Sequence, residues 1–255
     1  MESAYVGIDV ACAKKKALPI SVCVQRGGKL TPLPLRTAAF RPPLGGGNVL
    51  ALEADWRTDF AARAEHYLRE VEKAFSVQIK RVALDAPSEP CQAGVTRRRA
   101  EKALDERHIS CFTTPSAGKF GEIEQKARAH LTAGGPENHL PHANQLWMLV
   151  GFALFEHLGR TWPCLEVYPQ ATVALLGSSK LHKSSHTGLS EQTKTVGQRL
   201  GWAEAEFEQA LKQSGFGQLH DQFDAYLAAW VASVDEAERE PLGSPPSDVI
   251  WVPKL

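Results

Sequence analysis

Residues 4–11 have the sequence AYVGIDVA, a short apolar run in which a single acid, Asp9, is embedded. Such a run, rich in aliphatic and β-branched side chains, is typical of a strand buried in the middle of a sheet. An ionised carboxylate in a buried strand is costly unless it is paired, hydrogen-bonded or bound to a metal. Asp9 is therefore the first candidate for a functional residue.

Further strands are predicted outward from this segment. Residues 19–24 and 29–35 follow it closely, and the diglycine between them predicts a tight turn and an antiparallel meander. Residues 78–87 and 164–168 return to strand character after segments with helical periodicity. This alternation of helices and strands predicts an α/β fold.

The later strands each hold one acid, and the C-terminal helix offers two more. Asp85 lies in VALDAP and Glu166 in CLEVYP, while Asp221 and Asp224 are three residues apart near the start of a helix predicted over residues 219–238. The apolar residues of that helix predict packing against the sheet, which would bring its aspartates toward the strand acids. Such oxygen ligands suit Mg²⁺ or Mn²⁺ rather than zinc.

Each acid also has a structural interpretation that the sequence leaves open. An aspartate at a strand end is common in turns. Asp221 has the position of a helix cap, where the helix dipole favours a negative charge. Glu166 has the alternative of pairing with an arginine.

Composition narrows the class of protein. The chain of 255 residues has 29 Lys and Arg against 29 Asp and Glu, and 43% of its residues are hydrophobic. It therefore has no global basic field of the kind that steers proteins to nucleic acid, although a local basic patch stays possible. Its five cysteines are scattered, with no CxxC pair, which predicts reduced thiols rather than a disulfide framework or a zinc site.

The chain is expected to form one domain, residues 1–255, in which residues 239–255 are an extended C-terminal tail, with an edge strand over residues 249–252 as the alternative. Its longest apolar stretch, residues 146–155, is shorter than the roughly 20 residues that cross a bilayer. The lysines near the N-terminus follow the apolar run, which is the reverse of a secretory signal. We therefore expect a cytoplasmic protein with no membrane partner.

Four motifs, in this order, resemble a known family. They are GIDVA at residues 7–11, LDAP at 84–87, EVYP at 166–169 and HDQFDAYLAAWVA at 220–232. Their order and spacing are similar, over nearly the whole chain, to the predicted RNase H-like nucleases grouped as domain of unknown function family 429. The resemblance implies an RNase H-like α/β fold, a mixed five-stranded sheet flanked by helices.

The resemblance also implies an activity and a site. It implies a metal-dependent nuclease that hydrolyses phosphodiesters in RNA or DNA by a two-metal carboxylate mechanism with Mg²⁺ or Mn²⁺. In this superfamily the first and fourth strands carry acids, and a C-terminal helix delivers the last ones, a layout similar to that of Holliday-junction resolvases. The residues expected to bind metal and act in catalysis are Asp9, Asp85, Glu166, Asp221 and Asp224.

Basic residues near these motifs are candidates for substrate contacts, with a solvated surface as the alternative. Lysines follow the Asp9 strand and arginines follow the Asp85 strand, and residues 194–200 look like a compressed form of a family segment. The predicted substrate-binding residues are Lys14, Arg97, Arg98, Lys194 and Arg199. A third patch is predicted on a loop over residues 178–190, at Lys180, Lys183 and His186. Trp147 lies in an apolar helix and is expected in the core.

Two other functions stay open. One is a binding or scaffold protein that kept the RNase H-like fold and lost catalysis, which the neutral net charge favours. The other is a sugar-kinase or actin-like phosphotransferase, whose fold is related. The sequence lacks the glycine-rich turn that such an enzyme needs after its first strand, and it contains no GxxxxGKS phosphate loop.

Overall fold

A computed structural model of the chain describes residues 1–177 and 185–254. The fold is α/β, with a five-stranded mixed sheet flanked by helices. The strands are β1 (Glu2–Asp9), β2 (Ile20–Arg26), β3 (Lys29–Pro32), β4 (Val77–Asp85), β5 (Cys164–Glu166), β6 (Arg239–Ser244) and β7 (Asp248–Pro253). The helices are α1 (Gly47–Ala51), α2 (Ala54–Phe75), α3 (Arg99–Glu106), α4 (Ala117–Thr132), α5 (Trp147–Leu158), α6 (Pro169–Leu175), α7 (His186–Arg199), α8 (Glu204–Ser214) and α9 (Leu219–Ser233).

The main sheet has the strand order β3-β2-β1-β4-β5. The first three strands form the predicted antiparallel meander, and β4 and β5 add to it in parallel. The predicted α/β class with a mixed five-stranded sheet is thus confirmed, and the arrangement is consistent with an RNase H-like fold. Parallel pairing of β1 with β4 places Asp9 directly beside Asp85, because these are the last paired residues of the two strands.

The two faces of the sheet bury different helices. Val6 and Ile8 of β1 lie in an apolar cluster with residues of α2 and α5, such as Leu68 and Leu154. Tyr5 lies on the opposite face, where the residues of α9 pack. Since successive side chains of a strand alternate between faces, Asp9 shares the α9 face with Tyr5.

The C-terminal segment is a hairpin, so the prediction of an extended tail is wrong, and the alternative of a strand over residues 249–252 corresponds to β7. Strands β6 and β7 pair antiparallel, and Leu242 and Ile250 pack on Ala100 of α3. A single parallel bridge also joins Val167, just after β5, to Trp251 of β7. The hairpin thus covers the edge of the main sheet next to the ends of β4 and β5.

The predicted loop over residues 178–190 is also wrong in its last part, because α7 begins at His186 and Ser185 caps it by accepting a hydrogen bond from the Gly188 amide at 3.0 Å. Lys180 and Lys183 of the predicted third patch lie outside the described residues. Within residues 1–177 and 185–254, no helix is both long and apolar enough to cross a membrane.

Candidate metal centre and adjoining cavity

Three carboxylates meet at the carboxyl end of the sheet. One oxygen each from Asp9, Asp85 and Asp224 lies within 4.8 Å of the other two. Asp9 and Asp85 are partly exposed, whereas Asp224 is only 3% exposed. These three residues come from β1, β4 and α9, so the structure brings together acids that are far apart in the sequence.

The alternation of side chains along the strands explains why these three acids meet. Asp85 lies two residues after Ala83, whose side chain packs against Ala228 of α9. Asp85 and Asp9 therefore both face α9, the helix that carries Asp224. Close packing of α9 on β1 at Gly7 then brings the third carboxylate within reach.

Glu166 does not join this cluster, which differs from the sequence prediction. In the parallel pairing of β4 with β5, Glu166 lies opposite Leu84, whose side chain packs with the α2 and α5 cluster. Glu166 therefore faces the other side of the sheet from Asp85. Its carboxylate instead accepts two hydrogen bonds from Arg98, at 2.7 and 2.8 Å, and one from the Ser88 amide at 2.8 Å.

Asp221 also lies apart from the cluster. It caps the start of α9, which is the structural interpretation that the sequence left open. Its Oδ2 atom accepts a hydrogen bond from the backbone amide of Gln218, the residue before α9, at 3.1 Å. The other carboxylate oxygen lies 3.0 Å from Nε2 of His220. Asp221 thus satisfies an amide at the helix start, where a negative charge also interacts favourably with the helix dipole.

A buried ion network surrounds Arg98, which is 3% exposed. Besides Glu166, the guanidinium of Arg98 contacts Asp248 at 3.3 Å, and Asp248 also accepts from the backbone amides of Arg99 and Ala100. Burial raises the pKa of Glu166, and the charge of Arg98 opposes that rise. Burial is the largest influence on the pKa of Arg98 and would lower it, but the charge and hydrogen bonds of Glu166, together with the charges of Asp248 and Glu101, raise it overall. The bidentate geometry is that of an ionised pair.

The predicted substrate-binding residues are distributed over several sites. Lys14 is exposed beside the acid cluster and lies 3.4 Å from Glu137. Arg97 donates a hydrogen bond to Asp105 at 2.7 Å and Arg98 is buried in the ion network, so both predicted substrate-binding arginines are paired with carboxylates of the chain. Lys194 lies 3.5 Å from Glu204, away from the acids, in a smaller depression between α7 and α8. Arg199 is exposed at the end of α7.

A cavity of about 620 Å³ opens beside Asp9 and Asp85. Its volume lies within the range of about 300–1,000 Å³ that is usual for small-molecule sites. Most of its walls are apolar, and they come from segments that are distant in the sequence. Among the lining residues are Val10, Cys12, Lys14, Asp85, Pro87, Arg98, Cys111, Phe112, Trp147, Met148, Glu166, Tyr168 and Ile250.

Residues 44–248 match the model of a family described as Protein of unknown function (DUF429). The chain belongs to this family. The matched range of the DUF429 model contains Asp85 and Asp224 but begins after Asp9, so the GIDVA motif lies outside it. No curated protein and no solved structure gives a significant match.

The description of the DUF429 family assigns it no activity, so the chemistry of this member depends on whether its residues fit a metal. Mg²⁺ binds oxygens at about 2.1 Å, which places two oxygens on opposite sides of one ion roughly 4.2 Å apart. The spacing of up to 4.8 Å among the three aspartate oxygens is close to this value. Carboxylates alone, without thiols or imidazoles in the cluster, favour Mg²⁺ or Mn²⁺.

The aromatic residues that line the cavity of this DUF429 protein were not among the predicted site residues. Trp147 was expected in the core, yet it is half-buried and lines the cavity. Tyr168 also lines it and donates its hydroxyl hydrogen to the Ser110 carbonyl at 2.8 Å. Burial, with the nearby charge of Asp85, raises the pKa of Tyr168. Burial likewise raises the pKa of Cys12 and that of Cys111 to about 11.

Proposed function

We propose that this chain is a metal-dependent phosphodiester hydrolase, a nuclease of the RNase H-like type that uses the two-metal carboxylate mechanism. The observation that supports the proposal is the meeting of Asp9, Asp85 and Asp224 at one edge of the sheet, beside a cavity. When bound there, Mg²⁺ or Mn²⁺ would supply a water of lowered pKa and stabilise developing charge on a phosphate.

The protein's own contribution in this proposal is to hold ligand oxygens in place. Asp9 and Asp85 end two hydrogen-bonded strands, and Asp224 lies on a helix whose packing side is buried. Oxygens held on such rigid elements need little reorganisation when they bind a cation. The site is therefore electrostatically preorganised. Glu166 has a structural role in this proposal, since it accepts a hydrogen bond from the amide of Ser88 in the loop after Asp85 and pairs with Arg98.

Lys14 is the basic residue best placed to contact a phosphate. Lys14 lines the cavity together with Asp9. Both side chains of its ion pair with Glu137 are exposed. Exposed ion pairs are weak and easily exchanged. In the proposal, Lys14 therefore turns from Glu137 toward a bound phosphate.

Isothermal titration of Mn²⁺ tests the metal site directly. We expect saturable binding by the wild type and at least tenfold weaker binding by Asp9→Asn. Asp59→Asn is the matched control, because Asp59 is an exposed aspartate of α2 that pairs with Arg63. Its affinity should equal that of the wild type. Absence of Mn²⁺ binding to folded wild type, with or without oligonucleotide, would overturn the proposal and favour the scaffold function.

A cleavage assay follows if the metal binds. Fluorescent single-stranded and duplex RNA and DNA are incubated with Mn²⁺ or Mg²⁺ and analysed for shorter products. Cleavage by the wild type and the Asp59→Asn control, lost in Asp9→Asn and in EDTA, is the expected result. Mn²⁺ binding without cleavage of any of these polymers would contradict the nuclease assignment.

A further inference from the structure

The walls of the cavity beside the acids carry three aromatic side chains. Trp147 is at the start of α5, Tyr168 precedes α6, and Phe112 lies in the connection between α3 and α4. The Trp147 indole donates its Nε1 hydrogen to the Asn144 carbonyl at 3.0 Å, which holds the ring in one orientation. The hydroxyl of Tyr168 is likewise held by the Ser110 carbonyl, so two of the three rings are pre-oriented apolar surfaces in the cavity that Asp9 and Asp85 also line.

Phe112 differs from the other two aromatic residues because it is 60% exposed. A large apolar side chain left in water is unremarkable when it is isolated, but this one is at the rim of a mostly apolar cavity. Its exposure therefore leaves a ring face available to a flat ligand that enters the cavity.

Positive charge is scarce on the same walls. Among the described residues that line the cavity, the cationic side chains are Lys14 and Arg98. Arg98 is committed to the buried pair with Glu166, and Lys14 already contacts a carboxylate. Proteins that bind long nucleic acids neutralise many phosphates with lysine and arginine. This cavity fits a ligand with few phosphates.

We infer that the ligand of this cavity is a phosphodiester between two unpaired nucleosides, a dinucleotide or the terminal step of a single strand. The inference rests on the proposed function, because it assumes that the phosphodiester group binds at the three aspartates. Aromatic side chains stack on bases without regard to sequence. Bases within a duplex are already stacked, so their faces are closed to Phe112 and Trp147.

The cavity's size agrees with this ligand class. A volume of about 620 Å³ is in the middle of the small-molecule range, so it takes one or two nucleosides and not a length of duplex. Lys14 supplies one cation for the one or two phosphates of such a ligand. Specificity would then come from stacking and from the acid cluster rather than from a basic track.

Calorimetric titration in Ca²⁺ buffer tests the ligand class with the intact chain, using the DNA dinucleotide dTpdT, the RNA dinucleotide UpU and a 20-base-pair DNA duplex. We expect at least one dinucleotide to bind and the duplex not to bind. Loss of one stacking contact should weaken binding about tenfold in Phe112→Ala and in Trp147→Leu. Phe112 is exposed, so its truncation tests stacking without a risk to folding.

Phe216→Ala is the matched control, because Phe216 is a partly exposed aromatic residue that contacts Arg41 and does not line the cavity. Its affinity for the dinucleotides should equal that of the wild type. Equal weakening in all three variants would overturn the stacking assignment. So would duplex binding as tight as dinucleotide binding, or affinity unchanged by Phe112→Ala and Trp147→Leu.

The outcomes for the ligand and for the proposed function are separable. Absence of dinucleotide binding, together with Mn²⁺-dependent cleavage of long duplexes, overturns the inferred ligand and leaves the nuclease proposal intact. Dinucleotide binding that depends on Phe112, in a protein that does not bind Mn²⁺ or cleave, supports the ligand class and overturns the nuclease proposal.

Discussion

Gly7 of β1 lies in direct contact with the backbone of α9 at Ala225, the residue after Asp224. A Cβ atom added to Gly7 would overlap the carbonyl oxygen of Ala225 and the amide nitrogen of Ala229, and it would lie 2.9 Å from the carbonyl carbon of Ala228. Backbone meets backbone here, because no side chain separates strand and helix. The glycine in GIDVA therefore sets the distance between Asp9 and Asp224.

Gly7→Ala is expected to destabilise the fold and loosen the acid cluster. Overpacking lowers the free energy of unfolding by about 1–3 kcal/mol, and the added methyl group would meet backbone atoms that cannot rotate away. Urea unfolding should show that loss, and Mn²⁺ affinity should fall with it. Gly121→Ala in α4 is the control, because a Cβ there meets open space; it should be neutral or stabilising by up to about 1 kcal/mol. Equal stability of Gly7→Ala and wild type would contradict the close packing.

Asp224→Asn and Asp221→Asn are expected to separate the metal ligand from the helix cap. Both remove one charge from the first turns of α9, but only Asp224 lies with Asp9 and Asp85. We expect Mn²⁺ affinity to fall at least tenfold in Asp224→Asn and to stay unchanged in Asp221→Asn. Calorimetry of both variants checks this, with circular dichroism to confirm that α9 is intact. A similar loss of affinity in both would restore Asp221 as a ligand.

Glu166→Gln is expected to cost stability rather than metal affinity. Removing one charge of a buried ion pair leaves the other charge poorly compensated, and this typically lowers the free energy of unfolding by about 3–5 kcal/mol. Arg98 keeps its ion pair with Asp248 in this variant, so we expect a loss of stability at the low end of that range, about 3 kcal/mol. Glu156→Gln is the control, because Glu156 pairs with Arg160 on the surface and should change stability little. Mn²⁺ affinity within threefold of wild type is expected; a tenfold loss would identify Glu166 as a ligand.

The sequence was sufficient for the five strands of the main sheet and for the three acids of the cluster, to which it added Glu166 and Asp221. Asp9 and Asp85 were predictable because acids at the ends of neighbouring parallel strands meet at one edge of the sheet. Glu166 looked equivalent in CLEVYP, but the face on which it lies depends on the register of β5 against β4, which no local pattern reveals. A shift of one residue along the strand separates a place in the aspartate cluster from a buried pairing with Arg98.

The cavity was beyond the reach of the sequence for a different reason. Its walls come from the ends of β1 and β4, the start of α5 and the β6–β7 hairpin, so its shape depends on tertiary packing. Trp147 has the apolar neighbours of a core residue, and only its place at the first turn of α5 exposes one side of the indole. Of the hairpin, β7 was offered as an alternative strand, whereas β6 was missed because the prolines in residues 240–246 are typical of a tail.

The cavity thiols are expected to resist alkylation at neutral pH. The five cysteines are free, and burial raises the pKa of Cys12 and that of Cys111 to about 11. Thiolate is the reactive form, so a raised pKa lowers the reactive fraction at pH 8, by roughly a hundredfold or more relative to an ordinary thiol with a pKa of about 8.5. The alkylation rate should therefore climb steadily as the pH rises from 8 toward 11.

Iodoacetamide labelling followed by peptide mass spectrometry measures the alkylation of Cys12 and Cys111. The control is the protein unfolded in guanidinium, in which all five cysteines react. Rapid labelling of Cys111 in the folded protein at pH 8 would show that the cavity wall around it is more open to water than the packing of Arg97 and Tyr168 implies.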